Sequence, residues 1–159
     1  MRIRKVLFLD FDGVLHPLSS LIGFEMRMKR EDAISLGRLF RWAWILEELL
    51  VDSNVEIFVH SSWRQFLKEP ELLQHLGPVA HRFRGCTELG VGRWEGIQRL
   101  VQELNLLPDE WIVLDDRQSE FPENRPPQLI LCDSNLGVWD EHVREKIISW
   151  LTSSATFNT

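Results

Sequence analysis

Apolar residues along the chain follow two spacings in alternation. Residues 5–10, KVLFLD, form a short continuous apolar run that ends on a carboxylate, the pattern of a strand buried on both faces. Residues 33–52 place Leu36, Leu39, Phe40, Ala43, Leu46, Leu49 and Leu50 at helical spacing and predict one long helix. Residues 55–62, VEIFVHSS, read as a second strand, and 71–76 as a short helix with Pro70 at its start and Gly77-Pro78 closing it. A weak third strand is expected at 81–87. A helix at 94–106 carries Ile97, Leu100, Val101 and Leu104 on one stripe. Strands follow at 110–116 and 128–133, and a closing helix at 140–151 presents Val143, Ile147, Trp150 and Leu151. Strands separated by helices predict an α/β fold: a three-layer, Rossmann-like domain, about five parallel strands with helices on both faces. The whole chain, 1–159, is expected to form one such domain.

Composition narrows the function classes. At 44% hydrophobic residues the chain fills a core, and a net charge of −6 gives no global attraction to nucleic acid or anionic lipid. No apolar run reaches the roughly 18 residues that span a bilayer. The opening MRIRKVLFLDFDG has basic residues before an apolar run, but that run is short and broken by acids, so it reads as a first strand rather than a leader. A cytoplasmic location is the expectation. Cys86 and Cys132 lack metal-like spacing and read as reduced thiols.

In parallel sheets of this type, ligands bind beyond the carboxyl ends of the strands. The polar residues collect there: Asp10 after the first strand, Ser61 after the second, Asp115 and Asp116 after the fourth, Asp133 after the fifth. Asp12 follows Asp10 by two positions, and Gly13 eases a turn. An Asp-Gly turn after a strand is common and carries little alone. Two carboxylate pairs on one edge carry more. At about 4 Å and an effective dielectric near 20, each close pair costs roughly 4 kcal/mol. Raised pKa values or a bound hard cation relieve that repulsion, and carboxylate ligands with open positions suit Mg²⁺.

DFDGVL, VHSSWR and WIVLDD, each at a strand end and in this order, resemble the haloacid dehalogenase (HAD) superfamily of phosphohydrolases. Together with LILCDSNLGV they are similar to the small HAD domain associated with RNA-repair proteins. The resemblance implies Asp10 as the nucleophile that forms an aspartyl phosphate, and Asp12 as general acid and then base. It implies Mg²⁺ held by Asp10, the backbone carbonyl of Asp12, and Asp115 or Asp116. Ser61 matches the hydroxyl that binds a phosphate oxygen, with Ser62 the less favoured holder. The family's usual phosphate-neutralising Lys is missing. Arg93, just before the helix at 94–106, stands where it is expected, with Lys68 as the alternative and Arg64 as a second phosphate clamp. Residues 16–32, HPLSSLIGFEMRMKRED, are expected to serve as the flap that follows the first motif, with His16 in it. His60, preceding Ser61 in the strand, is expected to point to the opposite face and pack.

Neither residues 13–60 nor 62–93 can hold a separate cap domain, so an open site and a large phosphorylated substrate, such as a nucleotide or an RNA end, are expected. Arg27, Lys29, Arg30, Arg64, Arg82, Arg84 and Arg93 are candidates for a basic rim, and Trp63 and Trp94 for base stacking. Dehalogenation is disfavoured, because that branch lacks an Asp at the position of Asp12. The alternative is a HAD-like binding or regulatory domain with little turnover.

Overall fold

The computed structural model describes residues 4–153; the ends of the expected 1–159 unit lie outside the described residues. The strand-like runs become β1 (Val6–Leu9), β2 (Glu56–Val59), β3 (Phe83–Cys86), β4 (Trp111–Asp115) and β5 (Leu129–Leu131). They form one parallel sheet in the order β3-β2-β1-β4-β5. The chain leaves β1 towards β2 and β3 on one side and returns to β4 and β5 on the other. The carboxyl end of β1 is therefore the crevice where such sheets bind ligands.

Side-chain alternation divides the sheet between two cores. Leu7, Leu9, Ile57, Val59, Ile112 and Leu114 face one side. There they pack against α3 (Ala43–Leu50), α4 (Glu69–Leu76) and α6 (Glu141–Ser153) through Leu46, Leu50, Leu72, Leu76, Ile147 and Trp150. Val6, Phe8, Phe58, Trp111 and Val113 face the other side, which α5 (Arg93–Glu103) covers with Ile97, Leu100 and Val101. The result is a small three-layer α/β domain without a cap.

The helix expected at 33–52 is instead two. After α1 (Ile22–Glu25), α2 runs Arg30–Gly37 and stops at Arg38, which turns left-handed at φ 48°. Phe40 is left-handed too, at φ 65°, and α3 begins only at Ala43. Apolar spacing is continuous across the break, so periodicity cannot reveal it. The break turns Leu39, Phe40 and Trp42 into the core. The expected flap at 16–32 is packed down: a 3₁₀ turn at Leu18–Leu21 leads into α1, and Phe24 lies edge-on to Trp63, ring centroids 5.6 Å apart. Among the described residues no helix is long and apolar enough to cross a membrane.

Candidate active site

The last row in which β1 pairs with both neighbours is Leu9 between Val59 and Leu114. One residue further, Asp10 N donates to Leu114 O at 3.1 Å and His60 N to Leu9 O at 3.1 Å. Asp10, His60 and Asp115 therefore occupy one row. Alternation sends all three side chains to the α5 face. Arg93, the first residue of α5, meets them there: its Nη1 lies 2.7 Å from Asp115 Oδ2 and 3.3 Å from Asp10 Oδ2. His60 Nε2 donates to Asp115 Oδ2 at 2.8 Å, and the Arg117 N–H donates to Asp115 Oδ1 at 2.9 Å.

These contacts sort the charges. Burial pushes Asp10 well above the ordinary carboxylate range; Asp115 adds to the rise, Arg93 opposes it, and Asp12 and Asp116 add further. Burial also pushes on Asp115, but the donors His60 and Arg93 outweigh it and hold that group below its usual value. Burial lowers His60, which is neutral and donates from Nε2 to a charged Asp115. Its Nδ1 has no hydrogen-bond partner among the described residues.

Beyond Asp10 the chain turns at Gly13, φ +75°. A Cβ at Gly13 would stand 2.2 Å from Asp116 Oδ2, so glycine is what admits that carboxylate. Ser134 Oγ donates to the same oxygen at 2.9 Å. Asp12 Oδ1 receives two ring N–H groups, from His16 Nε2 and Trp63 Nε1, each at 2.8 Å. Its Oδ2 has no hydrogen bond from the described residues.

Asp10, Asp12, Leu18, Ser62, Arg93, Asp116, Arg117 and Ser134 line a hollow of about 330 Å³. Ligand atoms of Asp10, Asp115 and Asp116 lie within 4.8 Å of one another. All are hard oxygen donors, and among the described residues the only guanidinium touching them is that of Arg93, so the set fits a divalent cation such as Mg²⁺. Asp115 already receives donors on both oxygens. Asp10 Oδ1, without a hydrogen bond from the described residues, and Asp116, half-exposed to the hollow, are the better placed ligands.

A family model described as the HAD domain in Swiss Army Knife RNA repair proteins matches residues 6–143. The chain belongs to that family. No curated protein and no solved structure matches it. The matched span runs from β1 into α6 and contains every residue that lines the hollow. Membership makes HAD-type phosphohydrolase chemistry the coarse functional assignment, and domains of this kind generally use Mg²⁺.

Within this HAD domain the expected residues fall as follows. Asp10, Asp12, Arg93, Asp115 and Asp116 converge. Ser61 is fully buried; its Oγ accepts the Trp63 N–H at 3.2 Å and caps the 3₁₀ turn Ser62–Gln65, while Ser62 lines the hollow. Arg64 turns away and donates to Thr87 O and Oγ1, and Lys68 is exposed at the start of α4. The basic rim does not assemble. Arg82 and Arg84 bind Glu47 and Glu56 at the opposite end of β2, and Arg30 pairs with Glu71 on α4. Asp133 caps its own loop by accepting the Asn135 N–H, and its neighbour Ser134 reaches the site instead. Trp63 is buried with its N–H on Asp12, and Trp94 packs on Trp111 and Phe121, so neither offers a stacking face to the hollow. Cys86 and Cys132 are both free thiols.

His60 does point away from Ser61, yet that face also carries Asp10 and Asp115. Its role in the site is missed because parity within one strand says nothing about the parity of neighbouring strands. His16 is buried against Asp12 rather than in a mobile flap. The four-residue spacing from Asp12 was the only sequence signal for it.

Proposed function

We propose that this chain is a Mg²⁺-dependent phosphatase that hydrolyses a phosphate monoester through an aspartyl phosphate on Asp10. The observation that carries the reading is the unequal treatment of two carboxyls at one hollow. Asp10 sits against Arg93 with one oxygen unbonded, while Asp12 is clamped through one oxygen and has the other free. That division suits one group for attack on phosphorus and one for moving the proton. Asp10 and Asp116, with the Asp12 backbone carbonyl that the family resemblance implies, would hold Mg²⁺. When bound it lets an anionic nucleophile approach an anionic phosphate. Arg93 holds Asp10 in place and adds positive charge beside the phosphate. Ser62 and the Arg117 side of the hollow supply further polar contacts for its oxygens.

The absence of a cap leaves the hollow open to a phosphate carried on a large molecule. The family's description, RNA repair proteins, supports a nucleotide or RNA-end phosphate as the substrate class. The test is phosphate release from p-nitrophenyl phosphate and from 3′- and 5′-phosphorylated oligoribonucleotides, with Mg²⁺ and with chelator. Turnover should require Mg²⁺ and vanish in Asp10→Asn. Full turnover by Asp10→Asn removes the nucleophile assignment. A second reading, a HAD-like binding or regulatory domain, draws on one observation: Arg93, the candidate for the role of the family's usual Lys, is already engaged by Asp10 and Asp115. Mg²⁺ binding without turnover on any of these substrates supports that reading.

A further inference from the structure

We propose that His16 and Trp63 are positioning residues that fix the acid proton of Asp12 on Oδ2, and that esters with poor leaving groups depend on them for cleavage. The inference rests on the reading of Asp12 as the general acid.

The Phe40 N–H donates to His16 Nδ1 at 3.1 Å, so Nδ1 is an acceptor and the ring proton is on Nε2. Phe40 reaches that position in a left-handed conformation at φ 65°, unusual for a bulky residue, and it lies edge-on to the His16 ring with centroids 5.1 Å apart. His16 is fully buried, so no water competes for its nitrogens. The Trp63 indole nitrogen can only donate. Trp63 is in turn held by the Ser61 hydroxyl, which accepts its backbone N–H. Two fixed donors therefore converge on Asp12 Oδ1 at 2.8 Å each.

A hydrogen on Oδ1 would collide with both of them. When Asp12 is neutral its proton is therefore on Oδ2, the oxygen free of these clamps. In the first step an Asp10 oxygen bonds to phosphorus and the bond from phosphorus to the leaving oxygen breaks. The electron pair goes to that oxygen, which takes the Oδ2 proton as it departs as an alcohol. Asp12 is left as a carboxylate, and the same two N–H groups stabilise it. In the second step the carboxylate takes a proton from water as the water oxygen bonds to phosphorus. The Asp10–phosphorus bond breaks, inorganic phosphate leaves, and both aspartates return to their starting forms.

A good leaving group such as p-nitrophenolate departs with little help from a proton, whereas phenolate needs it. The test measures kcat/KM at saturating Mg²⁺ for p-nitrophenyl phosphate and phenyl phosphate in the full chain. kcat/KM reports the steps through departure of the leaving group. Trp63→Phe keeps a ring and removes the N–H. It should lower kcat/KM for phenyl phosphate at least about tenfold more than for p-nitrophenyl phosphate. His16→Leu should do the same, and His16→Gln, which keeps a donor, should recover part of the loss. Equal losses on both substrates assign these residues a structural role and overturn the inference while leaving the phosphatase reading intact. A wild-type chain that releases phosphate from neither ester overturns both. A readout independent of turnover is the Trp63 indole N–H in ¹⁵N–¹H spectra. Its exchange with solvent should be slow in the wild type and faster in Asp12→Ala. Solvent-rate exchange with Asp12 intact also overturns the inference.

Discussion

Adding a single methyl group at Gly13 tests the placement of Asp116. The backbone at Gly13 has φ +75°, a conformation that disfavours an L side chain by roughly 1–2 kcal/mol. The added Cβ would stand 2.2 Å from Asp116 Oδ2 and 2.6 Å from Cγ. Asp116 must retreat by about 1 Å to regain ordinary contact. It then gives up the 2.9 Å bond from Ser134 Oγ, a hydrogen bond to a charged group worth about 1.5–3 kcal/mol. Gly13→Ala should therefore lose roughly 3 kcal/mol of stability. For a domain of this size that lowers the melting temperature by roughly 6–12 °C.

The metal site should suffer beyond that. Mg²⁺ demands near-ideal octahedral geometry, so displacing one carboxylate should weaken binding at least about tenfold, or about 1.4 kcal/mol. Turnover should fall about 10²-fold, the usual consequence of a 1 Å misplacement. Gly90→Ala is the control. Gly90 also has positive φ, +86°, but nothing lies within 4 Å of its added Cβ. It should lose only the backbone share, roughly 1–2 kcal/mol, and bind Mg²⁺ as the wild type does. Calorimetric titration with MgCl₂ and thermal unfolding of both variants decide the matter. If folded Gly13→Ala binds Mg²⁺ as tightly as Gly90→Ala, the cation does not sit on Asp116.

Arg93→Met removes the guanidinium that bridges Asp10 and Asp115. Turnover should fall about 10²–10³-fold, and a loss within threefold speaks against Arg93 as the family lysine's replacement. Arg82→Met tests the fold away from the site. Arg82 is 5% exposed and donates to Glu47 and to the carbonyls of Leu50, Ser53 and Val55. Stranding these acceptors should cost about 3–5 kcal/mol in denaturant unfolding. Burial opposes ionisation of Glu47, but hydrogen bonds from Arg82 and His81 prevail and hold its pKa below the unfolded value of 4.5. The Glu47 contribution is thus complete above that value and is lost as pH falls through the lower folded pKa. The stability gap between wild type and Arg82→Met should narrow over that acid window. A gap that stays constant with pH refutes the pairing.

Much of this protein follows from local pattern. Four apolar runs are strands and the amphipathic stretches form helices, because burial on one or two faces imposes spacings that need no knowledge of the partner. The motif residues Asp10 and Asp12 and the Asp115–Asp116 pair are legible for a related reason: each pair stands at the carboxyl end of one strand. What the tertiary structure decided is who meets whom. His60 joins Asp10 and Asp115 because the register of β2 and β4 against β1 places all three in one row on one face. That register is set by hydrogen bonds between residues far apart in sequence. His16 and Trp63 reach the same oxygen of Asp12 from two different turns, one after β1 and one after β2. The break at Arg38–Phe40 brings the Phe40 N–H onto His16. Spacing within a segment reports the face a residue takes on its own element. Which faces and ends come together is settled only by long-range packing, and there the proton of Asp12 acquires its proposed place.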